Sequence, residues 1–276
     1  MPTESPAPVN PGAPIIPDQR RELILRQLRK HQVLSVHQLT EMFDCSHMTV
    51  RRDIAALEQE GRAYSVPGGV RIASQLRSEP SHQSKVVSEL AQKKAMARHA
   101  ATLLRPNMTV FLDAGTSTLS IVPHIAALSG MTVVTNDFSI VDALAQTKQV
   151  DVIHTGGLLD HDNRSSVGGL AAATLRRIVL DIAFISTSSW DLQRGITTPS
   201  ALKVELKHVA MANATSSVLV ASSSKYGTFG MYKIAALEQF DLIISDDGLA
   251  DGPAQALRKL GVELELVRGG AAEAAR

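Results

Sequence analysis

Hydrophobic positions in the first quarter of the chain recur at helical spacing. Leu23, Ile24, Leu25 and Leu28 give one buried side to a helix over residues 18–31, with Asp18 placed to cap its start. Val36, Leu39, Met42 and Phe43 mark a shorter amphipathic helix, and Asp44-Cys45 breaks it. Ser46 can then cap a third helix, its hydroxyl accepting from an otherwise unpaired N–H. Val50, Ile54 and Leu57 fall at i, i+4 and i+7 on one face of it, and Gly61 ends it. Next, Ala63-Tyr64-Ser65-Val66, a Pro67-Gly68-Gly69 turn and Val70-Arg71-Ile72 predict a β-hairpin. Three helices closed by a hairpin predict a winged helix-turn-helix over residues 18–74.

The flanking pattern differs. Residues 1–17 hold six prolines and predict a disordered arm, and residues 75–90 are polar, aperiodic and read as a linker. From residue 91 to 276 short apolar runs alternate with amphipathic stretches. Strands are predicted at 109–112, 132–134, 151–153, 182–185, 217–220, 242–244 and 263–266. Helices are predicted at 91–104, 117–128, 139–146, 169–178, 201–212 and 253–260. That alternation predicts an α/β domain with a mostly parallel sheet covered on both faces, so ligand chemistry should lie in the loops after the strands.

Composition adds bounds. With 276 residues, 44% hydrophobic and 20% charged, the chain can build a small domain and a medium one. The formal net charge is +1, and residues 18–74 hold nine Lys/Arg against seven Asp/Glu, so any case for DNA rests on placement. One cysteine, Cys45, excludes a disulfide framework and a multi-cysteine metal site. No apolar run approaches the roughly 18 residues of a membrane span, and the N-terminus lacks a secretion signal, so a cytoplasmic protein without a membrane partner is expected.

Placement supports DNA. Ser46, His47, Met48, Thr49, Arg51 and Arg52 crowd the first two turns of the third helix, where a recognition helix meets base edges and phosphates. Arg62 and Arg71 flank the wing, where they could hold phosphates. In the second domain Asp113-Ala114-Gly115-Thr116-Ser117-Thr118 leaves a strand and enters a helix with three hydroxyls in its first turn. It has no Gly-Lys-Ser/Thr and is not a nucleotide P-loop. Thr135-Asn136-Asp137, Thr155-Gly156-Gly157, the loop from Ser186 to Asp191 with the single tryptophan Trp190, and Ser222-Ser223-Ser224-Lys225 share its edge. Asp160-His161-Asp162 is consecutive, so its side chains diverge and a solvated loop is expected in place of a metal site. No cofactor, metal or catalytic constellation follows from the spacing.

These residues together resemble the DeoR family of bacterial sugar-catabolism regulators. The resemblance is carried by Thr49 to Asp53, Leu57-Glu58, Gly61 and Gly68-Gly69, then by Asp113-Ala114-Gly115-Thr116, Thr135-Asn136, Gly156-Gly157, Asp181 to Phe184, Gly195, Thr197 and Ser223 to Gly227. Pro67 stands where that family usually has histidine. The resemblance implies a second domain similar to ribose-5-phosphate isomerase that binds a phosphorylated sugar or sugar acid. Gly115, Thr116, Ser117 and Thr118 would hold the phosphate, with Lys225 in support. Asp113, Asn136, Asp191 and Lys203 would meet the sugar hydroxyls. The isomerases carry an acidic run where this chain reads Ser186 to Asp191, which leaves Glu205 as a doubtful base.

The expected protein is a repressor of a carbohydrate-catabolism operon. It would bind double-stranded operator DNA as a homodimer or homotetramer held by residues 91–276. A sugar-phosphate isomerase carrying a DNA-binding module, and a nucleic-acid binder whose second domain only oligomerises, are the alternatives.

Overall fold

A computed structural model describes residues 15–269. The expected arm therefore lies almost wholly outside the described residues. Its last proline, Pro17, instead opens the first helix, Pro17–His31. Proline suits that position because its missing N–H would have no intrahelical partner there. Asp18 consequently sits in the first turn and does not cap it.

The second helix, Val36–Phe43, is capped by Ser35 in a reciprocal capping box with Gln38. The third, His47–Gln59, is capped as expected by Ser46, which accepts from the Thr49 N–H. Ile24, Leu25, Leu28, Leu39, Val50, Ile54 and Leu57 form one buried cluster among the three helices. Met42, expected to join it, is instead exposed. Asp53 is buried and ion-paired to Arg20, which pins the third helix to the first.

The wing has one strand more than the pattern predicts. Val33–Ser35 pairs with Gly69–Ile72, which pairs in turn with Ala63–Val66. Only glycine fits at position 69, where a Cβ would lie 2.4 Å from the Leu34 carbonyl oxygen.

The larger domain is built on seven parallel strands. In spatial order they are Leu264–Val267, Leu242–Asp246, Ala214–Val220, Leu180–Ser186, Thr109–Leu112, Met131–Thr135 and Val150–His154. Side-chain alternation divides the core. Phe111, Val134, Ala183, Ile185 and Leu219 pack on one face, and Val110, Leu112, Val133, Phe184 and Val218 on the other. The chain starts in the middle at Thr109–Leu112, runs outward through two strands, then returns to lie on the other side at Leu180–Ser186. Where strand order reverses, the loops beyond the two strand ends part and leave a crevice.

Three stretches depart from the pattern. The helix expected over 117–128 is two single turns, Thr116–Leu119 and Val122–Ile125. A small sheet of Ser189–Asp191, Gly195–Thr198 and Tyr232–Ala235 was not signalled, because its strands are short and without period. Residues 75–90 are part of the folded body and not a free linker. Ser74–Gln75 pairs with Thr228–Phe229, and His82–Val87 is helical.

The two domains share a buried contact. Tyr64, from the first wing strand, belongs to the core cluster of the larger domain. Its ring meets Tyr226 edge-on at 5.3 Å, and Tyr226 meets Trp190 at 5.0 Å. Gly227, at φ +78°, is required here, since a Cβ would come within 2.5 Å of the Tyr64 ring. Arg194 donates to the Tyr64 hydroxyl at 3.0 Å, and the Tyr226 hydroxyl donates to the Glu58 carboxylate at 3.3 Å.

Candidate functional site

The crevice at the strand-order reversal holds a cavity of about 420 Å³. Gly115, Thr116, Ser117, Asn136, Ser165, Thr187, Ser188, Lys203, Lys207 and Lys225 contribute to its walls from the sheet side. Leu76, Glu79, Pro80, Ser84 and Lys85 cover it from the segment expected to be a linker.

Hydrogen bonding divides these residues into framework and free groups. Asp113 reaches the cavity, but its carboxylate accepts from the Ser186 N–H at 2.9 Å, from the Ser186 hydroxyl at 2.8 Å and from the Lys207 ammonium. The Asn136 amide accepts from the Ala114 N–H and donates to the Ser166 carbonyl, both at 2.9 Å. Asp137 accepts from the Gly115 N–H at 3.0 Å, and burial pushes its carboxyl up. Thr118 donates to the Asp113 and Gly115 carbonyls and is not among the lining residues. Asp113, Asn136 and Thr118, expected to touch ligand, therefore shape the loop that carries Thr116 and Ser117. Gly115 keeps its place because a Cβ would lie 2.9 Å from the Ser186 hydroxyl.

Asp191 requires a larger correction. It is fully buried outside the cavity, where it accepts from the Gln193 and Arg194 N–H groups and from the Arg194 guanidinium at 2.9 Å. Its work is to aim Arg194 at Tyr64. Glu205, weighed as a base, is half exposed, ion-paired to Arg176 and absent from the cavity lining.

The free groups converge. The buried hydroxyls of Ser117, Ser165 and Ser188 have no hydrogen-bond partner among the described residues, and all three line the cavity. A buried polar group without a partner costs stability, so three in the walls of one cavity, each just beneath its surface, leave those walls with unused hydrogen-bonding groups. The Lys225 ammonium donates to the Thr187 carbonyl at 2.8 Å and has no carboxylate within 4 Å among the described residues. Burial, reinforced by Lys85 and Lys93, pushes it down to about 8. Lys203 lies 2.9 Å from Glu79 and 3.4 Å from Asp160.

Sequence reasoning missed Glu79, Lys85, Ser165 and Lys207. Lys207 follows Lys203 by one helical turn, a spacing that could have flagged it. The other three lie in stretches without period.

In the smaller domain His47, Met48, Arg51 and Arg52 are exposed at the start of the third helix, and Thr49 is partly exposed there. The Ser46 hydroxyl is engaged with the Thr49 N–H and hydroxyl. Arg51 and Arg52 form no ion pair among the described residues. The wing arginines differ from expectation. Arg62 is ion-paired at 2.6 Å to Glu22 and at 3.4 Å to Glu60. Arg71 turns inward and donates to the Ser224 carbonyl of the larger domain at 3.1 Å, with burial pushing its guanidinium down.

No described helix is long and apolar enough to cross a membrane. The DeoR-like helix-turn-helix domain model matches residues 20–76, and the DeoR C terminal sensor domain model matches residues 88–247. The HTH-type transcriptional regulator YgbI of Escherichia coli (strain K12) is 42% identical over 91% of this chain and 98% of its own. A putative aga operon transcriptional repressor of Escherichia coli O157:H7 is 31% identical over 90% of this chain and 93% of its own. Among solved structures, ribose 5-phosphate isomerase A from Methanocaldococcus jannaschii aligns at 14% identity with a TM-score of 0.36, over 49% of this chain and 53% of its own. Both relatives are named as transcriptional regulators, and both family models fall on the domains just described. The chain belongs to the DeoR family of helix-turn-helix transcriptional regulators.

Proposed function

We propose that the protein represses a carbohydrate-catabolism operon and is switched by a phosphorylated sugar or sugar acid bound in the crevice. The observation that carries this is Lys225, whose partly buried ammonium has no carboxylate within 4 Å among the described residues, in a cavity whose walls also hold the unpartnered serines Ser117, Ser165 and Ser188. A phosphate supplies the missing charge and accepts from hydroxyls. On DNA, His47, Met48, Thr49, Arg51 and Arg52 face the groove, and Arg62, half exposed in a surface ion pair that a phosphate can replace, flanks it; Arg71 is left out because it bonds to the larger domain.

Paired operator half-sites call for a dimer or tetramer, and the second domain is the proposed seat of that association. Leu158, Leu159, Leu170 and Leu202 are exposed around the Leu158–Asp160 and Ser165–Val167 ribbon, and a second copy would cover them. The test is an operator titration with each of a panel of phosphorylated sugars and sugar acids, with sedimentation of the same samples. A panel member that releases DNA from a dimer or tetramer supports the reading. A monomer, or DNA binding indifferent to the whole panel, contradicts it.

A further inference from the structure

The cover of the cavity is a strap fixed at both ends. Upstream, the Leu76 N–H donates to the Phe229 carbonyl at 2.8 Å. Downstream, the His82 N–H donates to the Asp162 carbonyl at 2.9 Å, and Lys93 donates to the Ser88 carbonyl at 2.7 Å. Between these anchors residues 77–80 have no regular structure, and Glu79 points inward. Its carboxylate lies 2.9 Å from the Lys203 ammonium, 3.4 Å from the Lys85 ammonium and 3.5 Å from the Thr198 hydroxyl. Burial pushes the Glu79 carboxyl up, but Lys203 and Lys85 outweigh it and hold it down to about 2.

Four lysines line this cavity, and their counter-charges differ in kind. Lys207 is tied to Asp113, which two bonds from Ser186 also hold in place. Lys225 has no acid. Lys85 and Lys203 share Glu79, although Lys203 also reaches Asp160. Two mostly buried ammonium groups within reach of one carboxylate need an anion between them. In this structure the chain provides one from an irregular segment. Such a carboxylate can leave without breaking a helix or sheet, and water solvates it when it does. Asp113 has no such freedom.

We infer that Glu79 is the resident occupant of a second anion station, and that the ligand is a phosphorylated sugar acid whose carboxylate takes its place. The phosphate sits at Lys225 beside the Gly115–Thr116 turn; the ligand carboxylate sits at Lys203, Lys85 and Thr198. This rests on the phosphate reading of the Lys225 end. A carboxylate fits the second station because a carboxylate already fills it. Displacing Glu79 also frees the strap, whose upstream end follows the last wing strand with only Ala73 between. The ligand would thus be felt at the DNA-binding domain.

The test is calorimetric titration of the full chain with matched pairs of four-, five- and six-carbon aldose phosphates and aldonic acid phosphates. The acid of the preferred pair should bind about tenfold or more tighter than its aldose, the size expected of one charge-assisted contact. Glu79→Gln removes the competitor, so it should tighten the acid further and leave the aldose phosphate unchanged. Lys203→Met should erase the preference for the acid. Equal affinity within every pair, or Glu79→Gln weakening both partners, overturns the second station while leaving the phosphate reading intact. If no probe binds, or Lys225→Ala changes no affinity, the phosphate reading fails and the second station with it.

Discussion

Tyr64→Ala should separate two domains that otherwise unfold together. Tyr64 is fully buried, yet it packs in the larger domain's cluster and not in the cluster of Ile24, Leu25, Leu28, Leu39, Val50, Ile54 and Leu57. Its removal therefore spares the smaller domain's core, trims one edge of the larger domain's cluster and empties the contact between the two. Truncating a buried aromatic ring costs about 3–5 kcal/mol, and here the loss falls on domain coupling. Tyr64→Phe keeps the ring against Tyr226 and loses only the bond from Arg194, for about 1 kcal/mol. Guanidinium unfolding resolves the two, with circular dichroism following the helices and fluorescence following Trp190, the single tryptophan. The parent and Tyr64→Phe should give coincident transitions. Tyr64→Ala should give two, the smaller domain's share of the helical signal falling first while Trp190 and helices such as Leu90–Ala101 and Val204–Ala212 hold. Coincident transitions in Tyr64→Ala with an unmoved midpoint would refute a coupling role for Tyr64.

Two further outcomes follow from single side chains. Arg51→Ala and Arg52→Ala should each weaken operator binding by about 1–3 kcal/mol without lowering the melting temperature, as titrations against operator and scrambled DNA at several salt concentrations will show. Burial raises the Glu58 carboxyl above its ordinary value of 4.5, against the hydrogen bonds from Ser65 and Tyr226. A raised folded-state value means its contribution is complete below about 4.5 and is lost as pH rises through the folded value. Glu58→Gln should therefore flatten this part of the stability–pH curve and melt higher than the parent at pH 8, and a lower melting temperature there would count against it.

The sheet and the three helices were legible because their burial imposes period. Val50, Ile54 and Leu57 mark one helical face, and the seven predicted strands all recur within a few residues of their expected bounds. Hydrogen-bond direction leaves no such trace. The resemblance offered Asp113, Asn136 and Asp191 as ligand contacts; backbone N–H groups and neighbouring cations hold all three, and only Asp113 and Asn136 also line the cavity. Arg71 read as a phosphate contact because it flanks a wing, and only the packed domains show that it turns toward Ser224. Residues 75–90 hid the cavity cover for a related reason. Glu79 and Lys85 are held by tertiary ion pairs, which need no repeat in the sequence.

Lys225→Ala, measured by ligand titration of the preformed operator complex, tests most directly whether the crevice is the switch. The lysine adds a charge-assisted bond of roughly 1.5–3 kcal/mol to an anion, so its loss should raise the ligand concentration for half-release about tenfold to a hundredfold. Ligand-free operator affinity should stay at the parent value, because a ligand shifts DNA binding only through its differential affinity for the two states. In the parent, ligand affinity should hold below about pH 8 and weaken above it, as the buried ammonium, already pushed down to about 8, gives up its proton. Lys225→Ala should lack that weakening. Superimposable dose–response curves for the two proteins would remove Lys225 from the switch and contradict the placement of the phosphate.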